Sequence, residues 1–445
     1  MRPFLVLAAC VAIYAADWPT ESGSPQRDGW AKSETAFTRE NVKGLELLYR
    51  YKAENQTRGA NALTTPIVNG RVITYLGFKE ELVFGGSSDN VYAIDADLNR
   101  VIWKRHFADQ QVAATAVCPG GLTAPIAMAG SSTAATGRGV PGRGAAVPPR
   151  GSNRSGEFFA VSADGYLHRL NTSTGEDRVA PIRFLPPNAK VSALNINDNA
   201  IYAETLDGCG GNPNALYAMD LAVDGKVASV PLNGTPAGAA IGTDGTVYAA
   251  ANDAVMALTP KTLELKKRYA IAGGTVAPVV FSWHDRDVIL TGGKDGRLVL
   301  LDSASFENPL AENPPIGADF RGAFASWLDP LTSIRWIYAS TASQILAWRL
   351  EDQAGKPVLI QDWTSKEIAN PAPPVTANGL VFVLSERATL SVLDSANGAE
   401  LYSASASTRT NSGLAVANKR IYFTTHDNTV YCYGFLADQP QLTGR

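Results

Sequence analysis

Side chains that commonly carry chemistry are few in this chain and widely separated. The sequence has four His and four Cys in 445 residues. His284-Asp285 and His426-Asp427 are adjacent pairs in expected turns, and neighbours at a strand end point to opposite sides, so neither pair makes an acid–base couple. No CxxC or HxxH spacing occurs, which argues against a zinc site. The sequence also lacks a nucleophile elbow, a phosphate-cradling Gly loop and paired carboxylates at a readable spacing.

The first sixteen residues (1–16) resemble a secretory signal peptide. Arg2 provides a short positive region, residues 4–15 are mainly apolar, and small residues precede a cleavage after residue 16. The stretch is too short to span a bilayer. LAAC, which ends at Cys10, also matches a lipobox. The sequence therefore predicts a periplasmic or secreted protein, with lipid anchoring through Cys10 as the alternative.

An oxidising compartment changes the interpretation of the remaining cysteines. Cys118 and Cys209 both lie in Gly- and Pro-rich loops, and two loop cysteines of an exported protein usually pair. The sequence predicts a disulfide between them, with two unpaired thiols as the alternative. Cys432 lies in an expected β-strand that belongs to a repeat described below. The equivalent position is mostly apolar in the other copies of the repeat, so we expect a buried free thiol there.

A repeat that runs through the chain must position these residues. A short phrase recurs along it, as in VYAID at 91–95 and LVLLD at 298–302. Most copies are spaced by roughly the 40–45 residues of a four-stranded propeller blade. The sequence predicts an all-β fold, an eight-bladed β-propeller of four-stranded antiparallel blades in a single domain at 45–435. Aligned on their last residues, the copies end at 95, 171, 220, 259, 302, 349, 394 and 434.

The ends of the chain predict how the ring closes. Each copy follows a β-rich run, and Asp-Gly, Asp-Asn or Asn-Asp turns between them are typical of hairpins. A fourth strand follows most copies, but only a short polar tail (436–445) follows the last. We expect the segment 45–54 to supply the missing strand, so that an N-terminal strand closes the ring without exposed sheet edges.

Composition and charge exclude other classes of protein. Gly 40 and Pro 26 supply many turns, and a hydrophobic fraction of 45% is ample for a large core. A net charge of -3 without a basic face argues against nucleic acid as a partner. Residues 129–156 contain almost no bulky apolar side chain, so we expect a mobile, disordered surface insert there, with a docking role as the alternative.

The phrase and its continuation resemble the docking motif of quinoprotein (pyrroloquinoline quinone, PQQ) propellers, the quinoprotein alcohol dehydrogenase-like repeat family. In that motif Ala, Asp, Thr-Gly and Trp recur at fixed offsets, and the segment 17–44 is similar to the one that leads into such propellers. The Trp of the family packs between blades while the Asp and Gly hold a turn, so this match implies a fold and not an activity. The positions to which the resemblance assigns these structural roles are Asp95, Trp103, Asp220, Asp302, Asp394 and Gly398.

Two further matches concern a cofactor. KDGRLVLLD, which begins at Lys294, is similar to the family segment whose basic residue contacts the quinone oxygens. GGNP at 210–213 is similar to the Gly-Asn-Pro that supplies an Asn ligand to a catalytic calcium ion. The resemblance implies a PQQ contact through Lys294 and a calcium contact through Asn212, with Glu204 as a candidate carboxylate. A solvent-exposed hairpin Lys and a loop-turn Asn are the alternatives.

The chain departs from the dehydrogenases of that family where their chemistry is located. No Asp follows Asn212 at the place of the family's general base, no vicinal Cys pair occurs, and an additional blade phrase separates Asn212 from Lys294. We therefore expect a monomeric, non-catalytic scaffold that binds a protein or small-molecule ligand, similar in architecture to the propeller lipoprotein of the outer-membrane assembly machinery. The alternative is a PQQ- and calcium-dependent dehydrogenase of alcohols or sugars.

Tryptophans in two adjacent repeats are the best sequence indication of a binding patch. Packing between blades is the simpler interpretation of the same residues. The five residues of this cluster are Trp283, Trp327, Trp336, Trp348 and Trp363.

Overall fold

The computed structural model describes residues 16–56, 63–74, 77–107, 115–129, 156–223, 225–234, 238–271, 274–406 and 408–436. Most of the signal-like segment, including Cys10, most of the insert at 129–156 and most of the C-terminal tail lie outside the described residues. No helix among the described residues is long and apolar enough to cross a membrane.

The described chain forms eight four-stranded antiparallel sheets, as the repeat predicts. We number the blades in chain order from the first complete one. Two single-turn 3₁₀ helices are present among the described residues. Val42–Gly44 precedes strand β1, and Cys209–Gly211 lies between the second and third strands of blade 3. Blades 1 to 4 consist of β2 (Ile67–Thr74), β3 (Gly77–Gly86), β4 (Asn90–Asp95) and β5 (Arg100–His106); β6 (Ala127–Met128), β7 (Glu157–Val161), β8 (Tyr166–Asn171) and β9 (Ile182–Arg183); β10 (Lys190–Asn197), β11 (Ala200–Leu206), β12 (Ala215–Asp220) and β13 (Val227–Pro231); and β14 (Ala240–Ile241), β15 (Val247–Ala251), β16 (Ala254–Leu258) and β17 (Leu265–Ala270).

The remaining blades have the same strand order except for the last, which combines both ends of the chain. Blades 5 to 8 consist of β18 (Val279–Trp283), β19 (Arg286–Gly292), β20 (Leu298–Asp302) and β21 (Pro309–Glu312); β22 (Arg321–Leu328), β23 (Arg335–Ser340), β24 (Ile345–Gln353) and β25 (Lys356–Thr364); β26 (Val375–Ala377), β27 (Leu380–Leu384), β28 (Thr389–Asp394) and β29 (Glu400–Ser405); and β30 (Ala415–Ala417), β31 (Arg420–Thr425), β32 (Thr429–Gly434) and β1 (Glu46–Lys52).

The ring closes through the N-terminal strand, which confirms the prediction for 45–54. Strand β1 pairs antiparallel with β32, from Glu46 opposite Gly434 to Lys52 opposite Thr429. All six residues of β32 are buried, whereas β1 alternates between partly buried and exposed positions. Strand β1 is thus the outer strand of blade 8, and it covers an edge that would otherwise be free.

Turn residues and apolar strands explain why the local sequence forms these blades. The hairpins turn at residues that tolerate positive φ, such as Asp89 (φ 57), Gly165 (φ 85) and Asn428 (φ 62). The buried faces of neighbouring blades then pack on each other. In one cluster, Leu290 and Leu300 of blade 5 lie with Ile337 and Trp348 of blade 6. The core is therefore a series of interfaces between sheets, and each blade needs its neighbours.

The Asp residues of the repeat hold turns. The Oδ1 atoms of Asp95, Asp220, Asp302 and Asp394 each accept a hydrogen bond from the backbone N–H two residues further on, at 2.8–3.0 Å. This side-chain-to-backbone bond forms the turn that leads from the third strand of a blade to the fourth.

Two tryptophans join neighbouring blades through glycines. Trp103 of blade 1 donates its Nε1–H to the Thr172 carbonyl of blade 2 at 2.6 Å. Its ring covers Gly175, where a Cβ atom would lie 2.3 Å from the Trp103 ring. Trp363 covers Gly398 of blade 7 in the same way, with a closest approach of 2.5 Å. Both glycines also have positive φ, so the docking of one blade on the next requires Gly at these positions.

We expect Gly175→Ala to lower the free energy of unfolding by about 3 kcal/mol. The methyl group would meet the Trp103 ring and would also occupy the left-handed backbone region, which together cost roughly that amount. Gly317→Ala is the matched control, because Gly317 has a similar φ of 69 but no atom within 4 Å of the added Cβ. The control should lose about 1 kcal/mol in urea unfolding. Equal losses for both variants would contradict the docking role.

The predicted disulfide is present. Cys118 and Cys209 are bonded, with Cα atoms 5.5 Å apart, and they join the chain before blade 2 to the loop between the second and third strands of blade 3. Cys432 is free and buried, as expected. Burial raises the pKa of its thiol to about 12, which keeps it protonated and unreactive.

The leading segment lies inside the ring. The first strands of neighbouring blades contact each other, which places them around the axis. Residues 16–31 run alongside these first strands and the turns that end them. The segment contacts each of the eight blades. The partners on blades 1 to 8 are Val68, Met128, Leu194, Ile241, Val280, Ser326, Thr376 and Asn418.

Candidate functional site

The two residues implied as cofactor contacts lie at the same end of the ring but in different blades. In an antiparallel blade, the loop between the second and third strands emerges at the end where one blade connects to the next. Asn212 lies in this loop of blade 3, between β11 and β12, and Lys294 lies in the corresponding hairpin of blade 5. Blade 4 separates them, as the additional phrase in the sequence indicates.

Lys294 is the exposed first residue of a turn. Its backbone N–H donates to the Gly274 carbonyl at 3.3 Å, and Asp295 and Gly296 complete the turn before β20. The aliphatic part of the side chain runs beside Gly274, where a Cβ would lie 3.0 Å from Cδ. The residue is exposed, so its ammonium group is solvated in this arrangement.

Asn212 is held by its own turn. Its side-chain Nδ2–H donates to the Gly210 carbonyl at 3.0 Å. Gly210 and Gly211 have φ of 73 and 77, which lets the chain reverse after Cys209. The disulfide to Cys118 fixes the start of this loop. These contacts describe a loop-turn Asn whose position is set by local backbone geometry.

Glu204 is buried at the contact between blades 3 and 4. Its Oε2 accepts a hydrogen bond of 2.6 Å from the Gly238 backbone N–H, just before β14. Burial raises the pKa of Glu204 to about 7, while the Gly238 bond and the charge of Arg27 act in the opposite direction. Arg27 belongs to the leading segment, is itself buried, and packs its guanidinium against Gly238. Glu204 therefore connects two blades and the leading segment.

The carboxylates of the described residues bear on the calcium contact that the resemblance implies for Asn212. Calcium prefers six to eight oxygen ligands, with carboxylates prominent among them. Within the described residues, no group of three or more His, Cys, Asp or Glu side chains could hold a metal ion. The candidate carboxylate, Glu204, already accepts a backbone hydrogen bond, and burial raises its pKa.

A Ser–His–Asp arrangement in blade 2 was missed by the sequence analysis. His168 Nδ1 lies 2.9 Å from Asp177 Oδ1, and its Nε2 lies 3.1 Å from Ser162 Oγ. These are the contacts of a hydrolase triad. However, Ser162 and His168 are buried, Phe107 stacks on the imidazole at 3.9 Å, and the Ser162 hydroxyl also contacts Asp164.

The arrangement is therefore a buried polar junction of blades 1 and 2. Burial lowers the pKa of His168, against the opposing effect of Asp177, which favours the neutral imidazole. Arg105 of blade 1 completes the junction with an ion pair of 3.1 Å to Asp177. A signal was present in the sequence, because His168 occupies the place of Tyr92 in the blade phrase.

The tryptophan cluster is mostly core and not a surface patch. Four of its members, in blade 6, are at least nine-tenths buried between sheets, and three of them line the interface with blade 7. Only Trp283 is partly exposed. It lines a pocket of about 470 Å³ between the turns of blades 5 and 6, together with the buried Arg335. The four buried members are Trp327, Trp336, Trp348 and Trp363.

Comparison with known proteins supports the fold that the sequence repeat predicts. Residues 346–435 match the PQQ_2 family model, described as outer membrane protein assembly factor BamB. No curated protein matches the chain. Among solved structures, the quinohemoprotein alcohol dehydrogenase from Comamonas testosteroni is similar at a TM-score of 0.64 and 14% identity, covering 97% of this chain and 82% of that one.

Two further structures have the same degree of similarity. The quinohemoprotein alcohol dehydrogenase ADHIIG from Pseudomonas putida HK5 has a TM-score of 0.64 and 12% identity, covering 99% of this chain and 84% of that one. A europium-containing methanol dehydrogenase has a TM-score of 0.64 and 11% identity, covering 94% and 98%. At these identities the structures show a common fold, and with the family match they confirm the resemblance to PQQ-binding-like propeller repeats.

Proposed function

We propose that this PQQ-binding-like β-propeller is an exported, non-catalytic scaffold that binds a protein or a small-molecule ligand. The observation that carries the proposal is the local environment of the three residues that the resemblance assigns to a cofactor. Asn212 is bonded within its own turn, Glu204 is bonded to blade 4, and Lys294 is a solvated hairpin residue. A dehydrogenase of this type also needs a base within hydrogen-bond reach of the substrate hydroxyl.

Two other features support the proposed compartment and oligomeric state. The Cys118–Cys209 disulfide supports an oxidising compartment, in agreement with the signal-like residues 1–16. Strand β1 pairs with β32 within the chain, so that ring closure needs no strand from another copy, and this supports a monomer.

The alternative is a PQQ-dependent dehydrogenase of alcohols or sugars. The observation that favours it is the similarity of nearly the whole chain to solved alcohol and methanol dehydrogenases. In that case Lys294 would contact the quinone and Asn212 would contact the metal. A bound PQQ would then accept electrons from the substrate.

We expect the purified protein to show no dye reduction with PQQ, calcium and an alcohol or sugar. Europium should replace calcium in a parallel assay, since one similar structure is a europium-containing enzyme. Methanol, ethanol and glucose are suitable substrates, and equilibrium titration with PQQ measures binding separately from turnover. Without a positioned base, binding alone does not give turnover.

Lys294→Ala and Lys356→Ala test the assignment of the lysine. Lys356 is also an exposed hairpin lysine but is the first residue of β25, away from the hairpin of Lys294. Dye reduction that is lost in Lys294→Ala and retained in Lys356→Ala would overturn the scaffold proposal and establish the dehydrogenase. Absence of turnover in all three proteins supports the scaffold.

A further inference from the structure

The pocket between blades 5 and 6 combines apolar walls with a buried guanidinium. It lies where the β18–β19 turn, the β22–β23 loop and the end of β24 meet. Arg335, the first residue of β23, lines it and is 4% exposed. The walls include Trp283, Leu328, Ile334 and Leu350. A small concave site with one charged group among apolar side chains has the composition of a ligand site.

The hydrogen-bonding capacity of Arg335 is not fully used. Its Nη2–H donates to the Ser282 carbonyl at 3.0 Å, and Nη1–H donates to Ser326 Oγ at 3.3 Å. The Nε–H is buried and has no hydrogen-bond partner within the described residues. The guanidinium lies 4.7 Å from the centroid of the Phe281 ring. Nη1 and Nη2 each keep a second N–H beyond these bonds, so the guanidinium can still donate to an oxyanion in the pocket.

The charge of Arg335 is also not compensated. It forms no ion pair among the residues that the structure describes. Asp28, the carboxylate that acts on it most, is 2.8 Å from Lys32 Nζ and also accepts a hydrogen bond from Ser24. Burial lowers the pKa of Arg335 to about 10, although the charge of Asp28 opposes this shift. A guanidinium stays charged at neutral pH, and within the described residues Arg335 has only this longer-range interaction with Asp28 and no ion pair.

The acidic residues at the rim do not supply a counterion. Glu351 is paired with Arg349, and Asp352 lies 3.1 Å from His284 Nε2. Trp283 packs edge-on against the His284 ring, with centroids 4.9 Å apart, so the indole is held at the rim. The pocket therefore has a cationic wall at Arg335 and an aromatic wall at Trp283.

We propose that this pocket binds a carboxylate attached to an apolar or aromatic body. The carboxylate pairs with Arg335, and the body packs against Trp283 and the aliphatic walls. A free aromatic acid and the C-terminus of a peptide that ends in an apolar residue share this chemistry. The inference rests on the proposed scaffold function and names one ligand class for it.

Calorimetric titration of the full chain tests the proposal with matched probes. Indole-3-propionate represents the free acid, and indole-3-propanol is its uncharged counterpart. Gly-Gly-Gly-Phe with a free C-terminus represents the peptide, and the same peptide with a C-terminal amide is its control. We expect saturable binding of at least one carboxylate probe and loss of about tenfold or more in affinity for its uncharged counterpart, because the charge-assisted hydrogen bonds are lost.

Substitutions of single residues test whether the carboxylate binds in this pocket. Arg335→Met should weaken carboxylate binding by about tenfold or more, and Trp283→Ala should weaken it by about threefold or more. Arg286→Met removes a positive charge from the β18–β19 hairpin without lining the pocket, and it should bind as the unaltered chain does. If Arg335→Met does not fold, Trp283→Ala and the uncharged probes still decide the question.

Each outcome is decisive. Binding of the acid alone identifies a free acid as the source, and binding of the free-terminus peptide alone identifies a chain terminus. The absence of saturable binding for both carboxylates, or an equal effect of Arg286→Met and Arg335→Met, would overturn the proposal. Turnover with PQQ is measured independently, so failure of the scaffold function and failure of this pocket are distinguishable.

Discussion

A chain that begins at residue 55 is expected to aggregate, whereas one that begins at residue 45 should stay monodisperse. The shorter chain lacks β1 and therefore exposes the edge of β32, whose six residues are buried in the complete ring. An open edge of this kind pairs with other chains. The chain from residue 45 keeps β1 but lacks the leading segment, so we expect it to be less stable than the complete chain while its ring remains closed.

Size-exclusion chromatography with light scattering measures the difference. A synthetic peptide of residues 45–54, added during refolding of the chain from residue 55, should reduce aggregation, and a scrambled peptide should not. If the chain from residue 55 were monodisperse and as stable as the chain from residue 45, β1 would not be needed to close the ring.

Removal of the disulfide is expected to lower the free energy of unfolding by about 4–5 kcal/mol. The bond closes a loop with a sequence separation of 91, and in the chain-entropy account a loop of this length restricts the unfolded chain by roughly that amount. The double variant Cys118→Ser/Cys209→Ser avoids a single reactive thiol. Urea unfolding under oxidising conditions gives the comparison.

Reduction of the unaltered chain provides the control for this prediction. Once reduced, it should unfold at the same urea concentration as the double variant, because both lack the cross-link. Under reducing conditions neither protein has the bond. If the double variant were still about 4–5 kcal/mol less stable than the unaltered chain under these conditions, the serines would be disturbing the packing instead. Equal stability of the double variant and the oxidised chain would contradict a stabilising role for the bond.

The fold could be predicted because its information is local and repeated. Each blade phrase combines alternating apolar residues with a turn residue that accepts positive φ, such as Asp89 or Asn428. One such hairpin is a weak signal, but its repetition at one spacing specifies a ring. The missing fourth strand after β32 then identified β1 as the closing strand. The disulfide followed from the expected compartment and the two loop cysteines.

The candidate site could be predicted only as a set of residues. The motif indicated Lys294 and Asn212, but their contacts depend on Gly274 and Gly210, whose backbone positions a motif does not contain. Glu204 was named without a partner, and its partner is the backbone of the next blade. Such contacts form between segments distant in sequence, so they are fixed only when the sheets pack.

The sequence by itself determined the number of blades, the strand order and the closing strand, because hairpin turns and strand periodicity are properties of short segments. Only the tertiary structure decided which polar and aromatic side chains are buried and which residues they contact. Four tryptophans that formed a cluster in the sequence became core, and His168 became part of a junction between blades. Arg335 was an ordinary strand residue until Phe281, Ser282 and Ser326 enclosed it. Burial of a group depends on every neighbour that excludes water from it, and in a propeller those neighbours come from adjacent blades.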